Sequence, residues 1–228
     1  ISSGAKSASD RSPGVTTMVA HPIVFDGLNI ARLDRAQMVT TLRGHVSAIN
    51  LAAIQPQARL SDALLQINQV WETAGEMRDV TAIVTSVGGI EAAHRSGRVA
   101  IVLGAQNALM FEDELRHIAV FKRMGLRIVQ PTTHDKNVFG YGAAFNGTKE
   151  SAKDRGLTER GLAWLAEMET QKMLVDLSHC GAMTTLDCVA AADQPVVCST
   201  ANALEATNPR QNANNAAFET CQAGGRFR

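Results

Sequence analysis

Along the chain, short unbroken apolar runs alternate with stretches in which apolar residues recur every three or four positions. The runs are Pro22–Asn29, His45–Ile54, Val99–Asn107, Arg127–His134, Met173–His179 and Pro195–Asn202. Their apolar parts are continuous rather than alternating, as expected of parallel strands covered on both faces. Between them, FEDELRHIAVFKRMG places Phe111, Leu115, Ile118 and Phe121 at helical steps, with an acidic first turn, Lys122 and Arg123 in the last turn, and Gly125 to end it. LTERGLAWLAEMETQ offers Thr158 as N-cap and sets Leu162 and Leu165 on one face, and a longer helix is expected from Ser61. Trp71 and Trp164 both fall in helical patterns and are expected in the core.

Strand–helix alternation implies a parallel sheet with right-handed crossovers. An open doubly wound sheet would favour a glycine-rich phosphate turn after the first strand, and FDGLNIARLD has a single glycine. The expected fold class is therefore α/β: a TIM-type (β/α) barrel, incomplete at its C-terminal end, with about six of eight strands. Residues 1–20 read as a loose polar arm and 21–228 as one barrel domain, truncated where CQAGGRFR should lead into a further strand. Unpaired strand edges left by such an opening would favour a homo-oligomer.

Charge narrows the partners. Lys plus Arg and Asp plus Glu number 22 each, so the net charge is zero and no basic stripe marks the chain for nucleic acid or an anionic membrane. No apolar run reaches the ~20 residues of a membrane span. The four cysteines, Cys180, Cys188, Cys198 and Cys221, lack paired spacing and suit a reducing, cytoplasmic setting.

Chemistry in a parallel barrel gathers at the carboxyl ends of the strands. Those ends carry Asp26 and Asn29, Gln106 and Asn107, His134 and Asp135, Ser178 and His179, and Ser199 and Thr200. A lone histidine closing a strand is as easily a satisfied core residue as a site residue; five polar strand ends together weigh toward a site. Gln106 and Asn107 suit either ligand binding or capping of the next helix. His21, His45, His94 and His117 belong to no constellation. Cys180 adjoins His179, but neighbouring residues point apart in most backbones, which disfavours a thiol–imidazole dyad.

The motifs DG-x-N, MGLRIVQPTTH, GLTERG, EMETQKMLVDLSH, PVVCST and NPRQN, in this order from Ile23 to Gly225, resemble the membrane (renal) dipeptidase family. The resemblance implies a (β/α)8 metallopeptidase that hydrolyses dipeptides with a zinc pair, whose bridged hydroxide attacks a polarised carbonyl. It also implies departures. Leu28 and Ile30 stand where the family has a His and an Asp ligand, Leu103 is aligned with the bridging Glu, and Thr200 replaces a further His. His179 alone is retained among the ligands, so zinc is expected to be absent or weakly bound. By the same resemblance His134 faces substrate and Arg210 grips a substrate carboxylate.

Three readings follow: a dipeptidase-like amide or peptide hydrolase with a degenerate metal site, a catalytically silent relative that binds a small molecule or a partner, or a metal-independent enzyme using His179 and His134 as acid and base. The expected ligand is a small molecule or a dipeptide-like compound at the strand-end rim.

Overall fold

The computed structural model describes residues 22–145 and 153–200. Six strands form one parallel sheet: β1 (Phe25–Asn29), β2 (Ala48–Ile54), β3 (Thr81–Ile83), β4 (Val99–Ala105), β5 (Leu126–Val129) and β6 (Leu174–Val175). Six α-helices alternate with them: α1 (Arg35–Arg43), α2 (Leu60–Glu76), α3 (Val87–Arg95), α4 (Arg116–Arg123), α5 (Glu159–Thr170) and α6 (Ala182–Ala191). The order is β1-β2-β4-β5-β6, every pairing parallel, and the sheet curls into a half-barrel of the TIM type.

β3 is the strand that hydrophobic pattern does not signal. It is three residues long and shares one edge of β4 with β5. Thr81 to Ile83 pair with Val99 to Ile101, while Ile128 and Val129 take Gly104 and Ala105. The run Pro195–Asn202, expected as a full strand, contributes one parallel bridge, Asp176 to Val197, and residues 201–202 lie outside the described part. The expected barrel end at CQAGGRFR lies outside it as well.

Alternation along the strands divides the interior into two faces. Ile49, Leu51, Ile101 and Leu103 pack outward against Ile67 of α2, Ile118 and Phe121 of α4, and Trp164 of α5. Ala48, Ala100, Val102 and Ile128 point to the other face, where Val84 and Ala93 cover them. On α5 the buried stripe is Gly161, Trp164, Leu165 and Met168, a regular helical series. Leu162 is not on it and stands 46% exposed, contrary to the expected pairing with Leu165. Trp71 is also not core: it is 44% exposed and donates Nε1–H to the Met124 carbonyl at 2.8 Å. Trp164 is fully buried.

The helix expected from Phe111 starts later. Leu109–Phe111 form a 3-10 turn, Glu112 takes a left-handed φ of 53° that a continuing helix forbids, and α4 begins at Arg116. The acidic residues therefore precede the helix instead of forming its first turn. At the other end Gly125, at φ 103°, turns the chain into β5. Thr158 caps α5 by accepting the Gly161 N–H at 2.9 Å.

Candidate active site at the strand ends

The inward positions one step above the apolar floor are polar, and they connect round the cup. Asn50 donates Nδ2–H to the Gly27 carbonyl of β1 at 2.9 Å. Its Oδ1 occupies the space a side chain at Gly104 would need, 2.0 Å from where a Cβ would sit, so only glycine fits there. Gln130 donates Nε2–H to Asp176 Oδ2 at 2.9 Å. Asp176, wholly buried, also accepts from the Ser178 and Ser199 main-chain N–H groups and from both serine hydroxyls. Ser199 in turn lies against Gly27, where an added Cβ would come within 3.3 Å of its carbonyl oxygen. This layer fixes the end of β6 and the segment after Val197 in one arrangement.

Above the layer stand the histidines. His179 follows β6 in a left-handed conformation, φ 65°, half-buried, with its ring centroid 5.4 Å from that of exposed His134. A short segment stitches their main chains together. Ala143 N–H donates to the His179 carbonyl at 2.9 Å, Ala144 N–H donates to that of His134 at 2.9 Å, and Gly142 bridges to Cys180. Gly142 is required there because a Cβ would lie 2.0 Å from the Thr133 carbonyl oxygen. Burial, then the neighbouring His134, depresses the His179 pKa, and Asp176 opposes this only in part. The imidazole is therefore held neutral, the form that accepts a proton or ligates a metal.

The other strand-end residues divide. Gln106 and Ile30 line a cavity of about 420 Å³ at the ends of β1, β2 and β4, together with Gln55 and Gln57. Ile30 is 76% exposed. Asn29 donates to Asp26 Oδ2 at 2.9 Å and accepts the Ala31 N–H at 3.0 Å, so the pair shapes the end of β1. Asn107 is buried and accepts from Asn137 Nδ2 at 2.8 Å, which engages its carbonyl oxygen in holding the loop after β5. Thr200 is exposed, and its N–H donates to Ser178 Oγ at 2.9 Å. Leu103 requires a correction: it is fully buried on the helix-facing side of β4, so it is not a position from which a ligand could reach the cup. Arg210 lies outside the described residues.

Cys180 gives no nucleophile. It is buried, and loss of hydration pushes its thiol pKa up to about 12. Sequence reading missed Gln130, Asn50 and Asp176, although each is a lone polar residue in or directly after an apolar run, at an inward position.

Comparison places this geometry in a class. The profile described as membrane dipeptidase (Peptidase family M19) matches residues 26–225, and the chain belongs to that family. An uncharacterized dipeptidase of Schizosaccharomyces pombe is 27% identical over 136 residues, 60% of this chain and 32% of the relative. Dipeptidase tcpJ of Claviceps purpurea is 26% identical over 156 residues, 68% of this chain and 34% of the relative. Among solved structures, an amidohydrolase from Pseudomonas aeruginosa superposes with a TM-score of 0.77 at 28% identity, over 83% of this chain and 56% of that one. A Rhodobacter sphaeroides metallo peptidase, liganded with a phosphinate mimic of the dipeptide L-Ala-D-Ala, shares the fold at TM-score 0.68 and 20% identity, over 83% of this chain and 68% of that one. The chain thus spans about a third of these curated relatives and 56% of the amidohydrolase. No described helix is long and apolar enough to cross a membrane.

The family's zinc pair can be tested against the donors present. Among the described residues no three His, Cys, Asp or Glu side chains converge where a metal ion could sit. His134 and His179 are two imidazoles; Leu28 and Ile30 supply no lone pair, and Asp176 is already engaged by five donors. That set does not fit a dinuclear centre.

Proposed function

We propose that this chain is a dipeptidase-like member of its family with a degenerate metal site, whose rim recognises a small peptide or amide but does not carry out zinc-pair hydrolysis. The observation that carries the reading is the rim itself. His134 and His179 face each other across 5.4 Å on a stitched scaffold, while apolar Leu28 and exposed Ile30 stand where ligands are expected. Such a rim offers hydrogen-bonding imidazoles to an amide and no site for a bridging hydroxide. Arg210 would hold the ligand's carboxylate.

A second reading rests on the neutral His179 imidazole beside His134: a metal-independent hydrolysis in which His179 takes a proton from water and His134 supplies one to the leaving amine. The edge of β1, with Ile23, Val24 and Phe25 each more than 40% exposed, supports self-association of the chain.

Elemental analysis and dipeptide binding test the proposal together. Protein purified without added metal is expected to carry no stoichiometric zinc, to bind Ala–Ala in calorimetry, and to lose that binding in His134→Ala. Chelator-insensitive hydrolysis would select the second reading. A full zinc complement with chelator-sensitive dipeptidase activity would overturn both.

A further inference from the structure

At the opposite end of the half-barrel, a cavity of about 260 Å³ opens between the start of β1, the N-terminal halves of β5 and β6, and α3. Its walls are apolar: Phe25, Ile90, Val102, Ile128 and Leu174. Two cations stand at its edge, Arg127 and Lys172, beside the Thr85–Ser86 turn that caps α3. β3 stops at the level of Ile101, and the Thr85–Ser86 turn and Ile90 of α3 form the wall of the cavity that faces Val102 and Ile128. The layer of Asn50, Gly104, Gln130 and Asp176 lies between it and the histidine rim.

Among the described residues, neither Arg127, Lys172 nor nearby Lys122 forms an ion pair. Arg127 is held by carbonyls alone: Nε donates to Thr85 O at 3.0 Å, and Nη1 to Lys122 O and Leu126 O at 2.9 and 2.7 Å. Those bonds fix the guanidinium plane and leave Nη2 without a hydrogen bond to the described residues. Lys122 donates to the Gln171 carbonyl. Its pKa is lowered by burial first, then by Arg127 and Lys172. Lys172 is exposed, in a left-handed conformation with φ 52°. An apolar pocket with a guanidinium held by carbonyls and an exposed ammonium at its lip is complementary to an apolar body carrying one negative group.

We propose that this mouth is a second ligand site, separate from the rim, that takes a small organic carboxylate with an apolar body. Arg127 Nη2 and Lys172 receive the carboxylate, and Val102, Ile128 and Leu174 receive the hydrocarbon. The site does not depend on the reading of the rim.

Calorimetric titration of the chain with 4-methylpentanoate tests it, with 4-methylpentanamide, acetate and inorganic phosphate as comparison probes. The acid is expected to bind at millimolar concentration or below, and the amide and acetate at least about tenfold more weakly. Lys172→Gln should weaken the acid about tenfold and leave the amide unchanged, and Arg127→Gln should do the same. Arg127→Gln also removes carbonyl contacts, so Lys172→Gln, an exposed side chain, decides if that variant does not fold. Equal binding of acid and amide, no binding of the acid, or phosphate binding as tightly as the acid would each overturn the proposal.

Discussion

Asp176 is where the structure makes its sharpest energetic statement. The carboxylate is fully buried and accepts five hydrogen bonds, three at Oδ1 (Ser178 N, Ser178 Oγ and Ser199 N) and two at Oδ2 (Gln130 Nε2 and Ser199 Oγ). In Asp176→Ala the two hydroxyls can turn elsewhere, but two main-chain N–H groups and the Gln130 amide are stranded. Each stranded buried donor costs about 1–3 kcal/mol, and because they share one site a total of about 3–5 kcal/mol is expected. Asp176→Asn should behave differently. Its oxygen can keep the Oδ1 partners, and its new NH₂ meets Ser199 Oγ, which rotates to accept. It also meets Gln130, whose Oε1 is buried without a partner among the described residues. Gln130 can flip its amide to accept from that NH₂, which leaves its own NH₂ where the orphan oxygen was, so the number of bonds is kept and the Asn variant should cost about 1 kcal/mol. In a Gln130→Met background the flip is impossible, and Asp176→Asn should cost about 1–2 kcal/mol more. Urea unfolding followed by far-UV circular dichroism measures all of these as shifts in midpoint at constant slope. An Ala variant within about 1 kcal/mol of the parent, or an Asn variant as damaged as Ala, would refute the reasoning.

Three further outcomes follow from particular side chains. Cys180, with its pKa near 12, and buried Cys188, whose pKa burial also raises, should escape iodoacetamide at neutral pH in the folded chain and react once it is unfolded; peptide mass spectrometry reads both states. The folded pKa of His179 lies below its ordinary value near 6.5, so as the pH falls below that value the unfolded chain takes up the proton first and stability is lost. His179→Gln should flatten the slope of urea midpoint against pH, and an unchanged slope would discard this account. Leu103→Glu should unfold the chain, at a cost on the order of 4 kcal/mol, because it forces a charge among Ile67, Phe121 and Leu126, whereas Gln106→Glu should melt close to the parent. Thermal melting of the two variants separates those cases.

Much of the fold was legible because burial on both faces of the central strands leaves continuous apolar runs, and five of the six strands overlap the expected runs. β3 was not, since three residues alongside a longer neighbour need no hydrophobic run of their own. The short α4 was hidden by Glu112, whose left-handed backbone interrupts a pattern that composition alone would continue. The two histidines were legible as polar residues closing apolar runs, although β5 ends at Val129 and β6 at Val175, so both stand in the loops beyond. What brings the rings together was not, because Ala143 and Ala144 act through their main-chain N–H groups and nothing in their side chains announces it.

The hardest part to read was which face of a strand a residue takes, and it changes the chemistry. Side chains alternate along β4, so Gly104 belongs to the inner face while Leu103 and Ala105 belong to the helical face. A bridging carboxylate aligned with Leu103 would thus point into the hydrophobic core between sheet and helices. Gln106, at the strand end, instead lines the cavity beside Ile30. Its neutral amide can donate and accept but cannot supply the anionic oxygen a metal pair shares. On the proposed reading, the imidazoles of His134 and His179 and the Gln106 amide meet the ligand by hydrogen bonds, above a buried layer in which Asp176 already accepts five. On that reading the strand geometry that preserves the family's cup also turns Leu103 toward the helices, where it offers nothing to a ligand in the cup.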